Sequence, residues 1–153
     1  MPDPTSHGPD SVHDSQTGEL ERGRHVMIVD DDVVALSALD RLVRQWGHDV
    51  VPFDCYERAR ASLTNDAPPD ALVVDVRLGM FNGLQLIYLA KQINPSMTVV
   101  AVSGFDDPVL RAEAAVTGAA YLVKPVDVAE LRRLVSELPV HSAVPSNKTA
   151  SSL

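Results

Sequence analysis

The sequence predicts a doubly wound α/β domain with a five-stranded parallel sheet. Two observations favour this fold class. Five short apolar runs alternate along the chain with stretches whose apolar residues recur at helical spacing. Three of the five runs are continuous in Val, Ile, Leu and Met rather than alternating, which is typical of strands covered on both faces. Crossovers in such a sheet are right-handed, and binding sites form outside the carboxyl ends of its strands.

The five apolar runs are the predicted strands. They are the segments 25–29, 49–53, 71–74, 97–102 and 120–123.

Four of the intervening stretches carry clear helix signals. They are the segments 33–46, 83–93, 108–118 and 128–138. Gly47 can take the left-handed conformation that ends the first of these helices, and Pro95 cannot continue the second. Pro108 suits the first turn of the third, and Asp127 is a good N-cap for the fourth.

Composition bounds the class of protein. Of the 153 residues, 45% are hydrophobic and 22% are charged, as in an ordinary globular domain. The net charge of −8 argues against a nucleic-acid surface, and no apolar stretch is long enough to span a bilayer. The lone Cys55 rules out a disulfide within the chain and favours the cytoplasm. We expect a folded domain over residues 24–139, between a disordered arm at 1–23 and a flexible tail at 140–153, because both ends are rich in polar residues, Pro and Gly.

Several carboxylates follow two of the predicted strands. The segment 30–32 reads D-D-D directly after the first strand, and Asp75 follows the third. Parallel strands bring these groups to one edge, where like charges repel unless a cation joins them. Oxygen ligands without His or Cys suit a hard ion, and Mg²⁺ is the usual choice.

The same edge offers a hydroxyl and an ammonium group. Ser103 ends the fourth predicted strand and Lys124 follows the fifth. Asp75 could then act as a nucleophile toward a phosphoryl group, while Lys124 and Ser103 contact the phosphoryl oxygens and stabilise the charge that shifts in the transition state.

Four motifs at these positions have a family counterpart. They read I-V-D-D-D, D-V-R-L-G-M-F-N-G, V-S-G and G-A-A-Y-L-V-K-P, in this order along the chain. Their order and spacing resemble the receiver domain of two-component response regulators, over residues 24–139. The resemblance implies a flavodoxin-like (βα)5 fold, with five parallel strands and helices on both faces. It also implies a protein that is not an enzyme beyond its own phosphorylation and dephosphorylation.

The resemblance assigns a role to each acidic residue of the site. Asp75 matches the phosphoacceptor, and Asp30 and Asp31 match the acidic pair of the family. Asp31 would bind Mg²⁺ directly and Asp30 mainly through water. Arg77 stands two residues after Asp75, where the family uses a backbone carbonyl as a further metal ligand.

The remaining motif residues match the parts of a switch. Ser103 matches the hydroxyl that turns toward the phosphoryl group, and Tyr121 matches the aromatic residue that follows it. Lys124 matches the lysine of the site, and the Lys124–Pro125 peptide would be cis.

The sequence departs from the family in the loop after the phosphoacceptor. Gly79 stands where a proline is common, while Gly83 keeps its usual place. The side chain of Arg77 adds a positive charge beside the site. We expect it to pair with the phosphoryl group or with Asp32, and to tune autodephosphorylation.

Simpler interpretations exist for individual residues. Asp32 is expected to cap the first helix rather than bind metal. Tyr121 also suits ordinary core packing, and Lys124 taken alone would suit a solvated surface. Asp106 and Asp107 are expected to cap the fourth helix.

The resemblance implies a signalling function. A histidine kinase or a histidine phosphotransfer protein would donate the phosphoryl group. A downstream protein would then read the face formed by the fourth helix, fifth strand and fifth helix, at residues 106–138. A phosphorylation-dependent dimer is common in this family. No output domain is recognisable after the last predicted helix, so the sequence predicts a stand-alone receiver if it is the full gene product. The loop after Asp75, with Arg at its second position, is also reminiscent of receivers that carry DNA-binding domains. The acidic balance gives the chain no nucleic-acid surface of its own, and we expect no contact with a membrane.

Two other functions remain open at this point. A pseudo-receiver would have the fold and act as an interaction module without phosphorylation. A phosphatase like the haloacid dehalogenases would use the D-x-D of Asp30 and Asp32, but it needs an acidic pair on a strand after Lys124 and leaves Asp75 unexplained.

Overall fold

The computed structural model describes residues 23–137. The predicted arm at 1–23 and tail at 140–153 lie outside these residues, apart from Gly23. The elements are, in chain order, β1 His25–Val29, α1 Val33–Gln45, β2 Asp49–Phe53, α2 Tyr56–Asn65, β3 Ala71–Asp75, β4 Arg77–Leu78, β5 Phe81–Asn82, α3 Leu84–Ile93, β6 Thr98–Ser103, α4 Pro108–Val116, β7 Ala120–Val123 and α5 Val128–Ser136.

Five strands form one parallel sheet in the order β2-β1-β3-β6-β7. This confirms the predicted fold class and all five predicted strands. The observed ends of the strands differ from the predicted ends by at most one residue. The sheet places the carboxyl ends of β1, β3, β6 and β7 side by side, so the residues that follow them meet at one edge.

The core lies on both faces of the sheet because successive side chains of a strand point to opposite sides. In β1, Val26 and Ile28 pack in the cluster that contains the buried residues of α1 and α5. Met27 and Val29 pack in the cluster that contains those of α2, α3 and α4. The continuous apolar runs of the sequence are therefore explained by burial on both faces.

The helix ends follow local signals. Gly47 and Gly118 have positive φ angles of 90° and 80°, each one residue beyond the C-cap of α1 or α4, where a side chain would be strained. Asp127 caps α5 as predicted, and its carboxylate accepts the N–H of Glu130 at 3.0 Å. Asp107 alone caps α4, so the prediction that Asp106 shares this role is wrong: Asp106 instead pairs with Arg111 at 2.7 Å.

Two features were not singled out from the sequence. Helix α2 has a weak apolar pattern, because only Ala59 and Leu63 of its ten residues are buried. The short strands β4 and β5 form an antiparallel hairpin between β3 and α3.

A buried arginine fastens the opposite edge of the sheet. Arg24 is 6% exposed, and its guanidinium donates to the carbonyl oxygens of Val135 and Glu137, each at 2.6 Å, and of Asp70 at 3.0 Å. It also donates to the Thr98 hydroxyl at 3.1 Å. One side chain thus joins the end of α5 to the starts of β3 and β6.

Within residues 23–137, no helix combines the length and the apolar character that crossing a membrane requires.

Candidate functional site

Three carboxylates meet at the carboxyl edge of the sheet. Asp30 and Asp31 follow β1, and Asp75 is the last residue of the adjacent strand β3. One oxygen from each lies within 4.8 Å of the other two. Asp30 and Asp75 are buried, with exposures of 1% and 7%, whereas Asp31 is exposed. The sequence prediction that these three residues converge is thus matched by the geometry.

Lys124 joins the two buried carboxylates. It follows β7, and its Nζ donates to Asp75 Oδ2 at 2.8 Å and to Asp30 Oδ2 at 3.0 Å. The side chain of Lys124 is 30% exposed, so the ion pairs lie between the protein interior and solvent. The ammonium offsets the repulsion that two buried carboxylates would otherwise have for each other.

Backbone amides fix the other oxygen of each buried carboxylate. Asp30 Oδ1 accepts the N–H of Asp32 at 2.9 Å, and Asp75 Oδ1 accepts the N–H of Arg77 at 2.8 Å. Both donors lie two residues after their acceptor. This local turn holds each carboxylate in one orientation, which preorganises the two buried acidic groups.

The third carboxylate is held by the β4–β5 hairpin. Asp31 Oδ2 accepts the N–H of Gly79 at 2.9 Å. Gly79 has a φ of 59°, which proline cannot adopt, so the proline that the resemblance leads us to expect at this position would not fit this loop. Gly83 follows the hairpin and lies so close to Asp75 that an added Cβ would stand 2.1 Å from the Asp75 carbonyl oxygen. A side chain at position 83 would therefore displace the end of β3.

Burial and pairing shift two pKa values at the site. Burial raises the pKa of Asp30, although its hydrogen bonds with the Asp32 amide and Lys124 act in the opposite direction. Burial lowers the pKa of Lys124, but its hydrogen bonds with Asp75 and Asp30 outweigh this effect and the net pKa is raised. Lys124 is accordingly protonated and positively charged at neutral pH.

The donor set fits a hard divalent cation. The group consists of carboxylate oxygens, with no His or Cys among its ligating atoms. Mg²⁺ is bound in proteins by one or two carboxylates while it keeps waters and accepts phosphate oxygens. Two of the three carboxylates are buried and one is exposed, which leaves the open side of the group toward solvent.

One protein family has a sequence pattern that matches almost all of the part of the chain that the structure describes. Residues 26–136 match the model of the response regulator receiver domain. The chain belongs to this family.

Relatives and solved structures agree with this assignment. The transcriptional regulatory protein PrrA of Mycobacterium tuberculosis (strain ATCC 25618 / H37Rv) is 33% identical over 117 residues, which cover 74% of this chain and 48% of PrrA. The transcriptional regulatory protein ZraR of Escherichia coli (strain K12) is 27% identical over 118 residues, which cover 76% of this chain and 26% of ZraR. The receiver domain thus spans about half of one relative and about a quarter of the other.

A solved structure confirms the flavodoxin-like fold. The response regulator receiver protein from Sinorhizobium medicae WSM419 superposes with a TM-score of 0.69 at 26% identity, over 74% of this chain and 92% of that one. Receiver domains are in general signalling domains rather than enzymes. Membership of this family also removes the basis for the phosphatase interpretation.

Two further predicted site residues lie on the neighbouring strands β6 and β7. Ser103 ends β6, is 1% exposed, and its Oγ accepts the N–H of Phe105 at 3.2 Å. Tyr121 in β7 is 9% exposed, and its hydroxyl donates to the carbonyl oxygen of Phe105 at 2.9 Å. Phe105 therefore connects the two residues that the sequence predicted as a switch, and it was not singled out from the sequence. The Lys124–Pro125 peptide is cis, as the family resemblance implied.

Asp32 and Arg77 make side-chain contacts outside the group of three carboxylates. Asp32 caps α1, since its Oδ1 accepts the N–H groups of Val34 at 3.0 Å and Ala35 at 3.3 Å, which confirms the predicted cap. Arg77 does not pair with Asp32 in this structure, and the alternative pairing with a phosphoryl group stays a prediction. The Arg77 guanidinium instead lies over the ring of Phe105, with Cζ 4.6 Å from the ring centroid.

Proposed function

We propose that this receiver domain accepts a phosphoryl group on Asp75 from a histidine kinase or a histidine phosphotransfer protein, in a Mg²⁺-dependent reaction. The observation that carries the proposal is the position of the Lys124 ammonium. It bridges the carboxylates of Asp75 and Asp30, beside the third carboxylate of the group, which belongs to Asp31. A surface lysine would not lie between two buried carboxylates unless charge had to be balanced there.

The chemistry assigns one task to each side chain. A carboxylate oxygen of Asp75 attacks phosphorus in line, the new P–O bond forms as the P–N bond of phosphohistidine breaks, and the leaving imidazole keeps the electron pair. Lys124 moves from pairing a carboxylate to pairing a phosphoryl oxygen, where it stabilises the negative charge. Ser103 offers its hydroxyl to a second phosphoryl oxygen.

The residues present would hold the metal at the same edge. Asp30, Asp31, Asp75 and the backbone carbonyl of Arg77 are the proposed ligands, with Asp30 acting mainly through water. When bound, Mg²⁺ supplies positive charge that lets an anionic phosphoryl group approach the carboxylates.

The proposed output is a switched surface. Ser103 and Tyr121 are joined through Phe105, so a phosphoryl group that draws on the Ser103 hydroxyl would also disturb the hydrogen bond of Tyr121. Tyr121 lies in β7 beside α4, whose Arg111 guanidinium stands 4.8 Å from the Tyr121 ring centroid. We propose that the surface at residues 106–138 changes its population of two states and recruits a downstream protein, or forms a dimer, in the cytoplasm.

Labelling with a small phosphodonor tests the proposal. The protein is incubated with acetyl phosphate, with and without Mg²⁺, and its intact mass is measured. We expect one phosphoryl group per chain, only with Mg²⁺, and none in Asp75→Asn. Asp54→Asn is the matched control, because Asp54 follows β2 at the same edge but pairs with Arg58, and it should label like the unaltered protein.

Two results would point to other functions. Absence of labelling under all conditions would leave an interaction module without phosphorylation. Multiple turnovers that depend on Asp30 rather than Asp75 would indicate a hydrolase.

A further inference from the structure

Arg77 and Phe105 form a cation–π stack at the carboxyl edge of the sheet. They belong to different segments, since Arg77 begins the β4–β5 hairpin and Phe105 follows β6. The Arg77 Cζ stands 4.6 Å from the centroid of the Phe105 ring, which is the geometry of a cation–π contact. Within residues 23–137 the Arg77 guanidinium forms no ion pair, so the Phe105 ring is the group that its charge contacts.

The backbone of Phe105 forms hydrogen bonds with both predicted switch residues, Ser103 and Tyr121. Its N–H donates to Ser103 Oγ at 3.2 Å, and its carbonyl accepts from the Tyr121 hydroxyl at 2.9 Å. Phe105 is 60% exposed and therefore has little core packing of its own. The stack with Arg77 is the contact that ties this residue to the phosphoacceptor loop.

Arg77 is at the same time fastened to the phosphoacceptor. Its backbone N–H donates to Asp75 Oδ1 at 2.8 Å. Phosphorylation would replace the single negative charge of the Asp75 carboxylate by about −1.5 to −2 on a phosphoryl group that lies further out, within reach of Arg77. A guanidinium binds phosphoryl oxygens through charge-assisted hydrogen bonds that are stronger than an exposed contact with an aromatic ring.

We propose that the Arg77–Phe105 stack is a brake on the switch, which stabilises the unphosphorylated arrangement and is released when Arg77 turns to the phosphoryl group. This proposal rests on the function proposed above. Arg77 and Phe105 act as positioning residues: the stack fixes Phe105, and Phe105 holds the side chains of Ser103 and Tyr121. Release of the ring leaves both hydrogen bonds of Phe105 free to rearrange.

A double-mutant cycle on phosphoryl-mimic binding tests the brake. Beryllofluoride with excess Mg²⁺ is titrated into the protein and its uptake is followed by ¹⁹F NMR. We expect Phe105→Leu to bind beryllofluoride about two- to five-fold tighter, because the resting state loses the stack while Arg77 keeps its charge. In the Arg77→Gln background the same Phe105→Leu change should have no effect, since the stack is already absent.

Two further variants separate the brake from general damage. Phe105→Tyr keeps an aromatic ring under Arg77, so this variant should bind beryllofluoride with the same affinity as the unaltered protein. Arg58→Gln is the matched control for the charge, because Arg58 stands 5.9 Å from the ring centroid of Phe53, outside this site, and its removal should leave the affinity unchanged. Thermal unfolding of every variant confirms that folded proteins are compared.

The outcomes are distinguishable from failure of the proposed function. If the unaltered protein neither binds beryllofluoride nor labels at Asp75, the proposed function fails and the brake fails with it. If it does both, but Phe105→Leu changes the affinity equally in the two Arg77 backgrounds, or does not tighten it, the brake alone is overturned.

Discussion

Replacement of Lys124 by methionine should destabilise the metal-free protein and strengthen its binding of Mg²⁺. Methionine keeps the length and apolar stem of lysine but removes the ammonium between Asp75 and Asp30. Both carboxylates are almost fully buried, so each is left without its cationic partner. Repulsion between the two charges then opposes folding until another cation replaces the lysine.

The magnitude follows from the two contacts. Each is a charge-assisted hydrogen bond, at 2.8 and 3.0 Å, of a kind that contributes about 1.5–3 kcal/mol. Because the Lys124 side chain is 30% exposed, solvent screening reduces their sum, and we expect a loss of about 2–3 kcal/mol in the free energy of unfolding. If about 1.4 kcal/mol of this returns when Mg²⁺ occupies the carboxylates, the affinity for Mg²⁺ rises about tenfold.

The assay is urea unfolding with and without Mg²⁺, together with a Mg²⁺ titration by calorimetry. Trp46 is the single tryptophan and reports unfolding through its fluorescence. Lys91→Met is the matched control, because Lys91 is also partly buried but its Nζ donates to the carbonyl oxygen of Met97 at 2.8 Å. That variant should leave the Mg²⁺ affinity unchanged. A Lys124→Met protein with the stability and Mg²⁺ affinity of the unaltered chain would refute the reasoning.

Three other substitutions test separate parts of the structure. Asp30→Asn should raise the melting temperature of the metal-free protein at neutral pH, because burial raises the Asp30 pKa and the folded state disfavours its charge; the gain should shrink as the pH falls through that pKa, and an unchanged melting temperature would contradict it. Asp32→Ala should cost about 1 kcal/mol of stability in urea unfolding through loss of the α1 cap, whereas a large loss of Mg²⁺ affinity would mean that Asp32 is a ligand. Arg24→Met should cost about 2–4 kcal/mol in the same assay, since it leaves buried acceptors unsatisfied, and equal stability would show that these hydrogen bonds contribute no net energy.

The strands and the acidic residues were predictable because both depend on short-range patterns. Continuous apolar runs mark strands that are buried on two faces, and parallel strands must bring their carboxyl ends together. Asp30, Asp31 and Asp75 therefore needed only their positions after β1 and at the end of β3 to be assigned to one site. The N-cap role of Asp32 likewise follows from its place before α1.

The features that were missed depend on contacts distant in sequence. In the sequence, Arg24 is a single charged residue that precedes a predicted strand. No nearby residue indicates that its hydrogen-bond partners belong to β6, to α5 and to the segment before β3. The stack of Arg77 on Phe105 joins two loops whose approach is set by the sheet. Helix α2 was not singled out because its few buried residues give a weak pattern.

A crystal structure of the protein with Mg²⁺ and beryllofluoride tests the central claim most directly. The account predicts beryllium bonded to a carboxylate oxygen of Asp75, with Lys124 Nζ and Ser103 Oγ on its fluorine atoms and Mg²⁺ beside Asp31. Beryllofluoride bound at Asp30, or an unaltered Asp75 still paired with Lys124 at saturating beryllofluoride and Mg²⁺, would contradict the assignment of Asp75 as the phosphoacceptor.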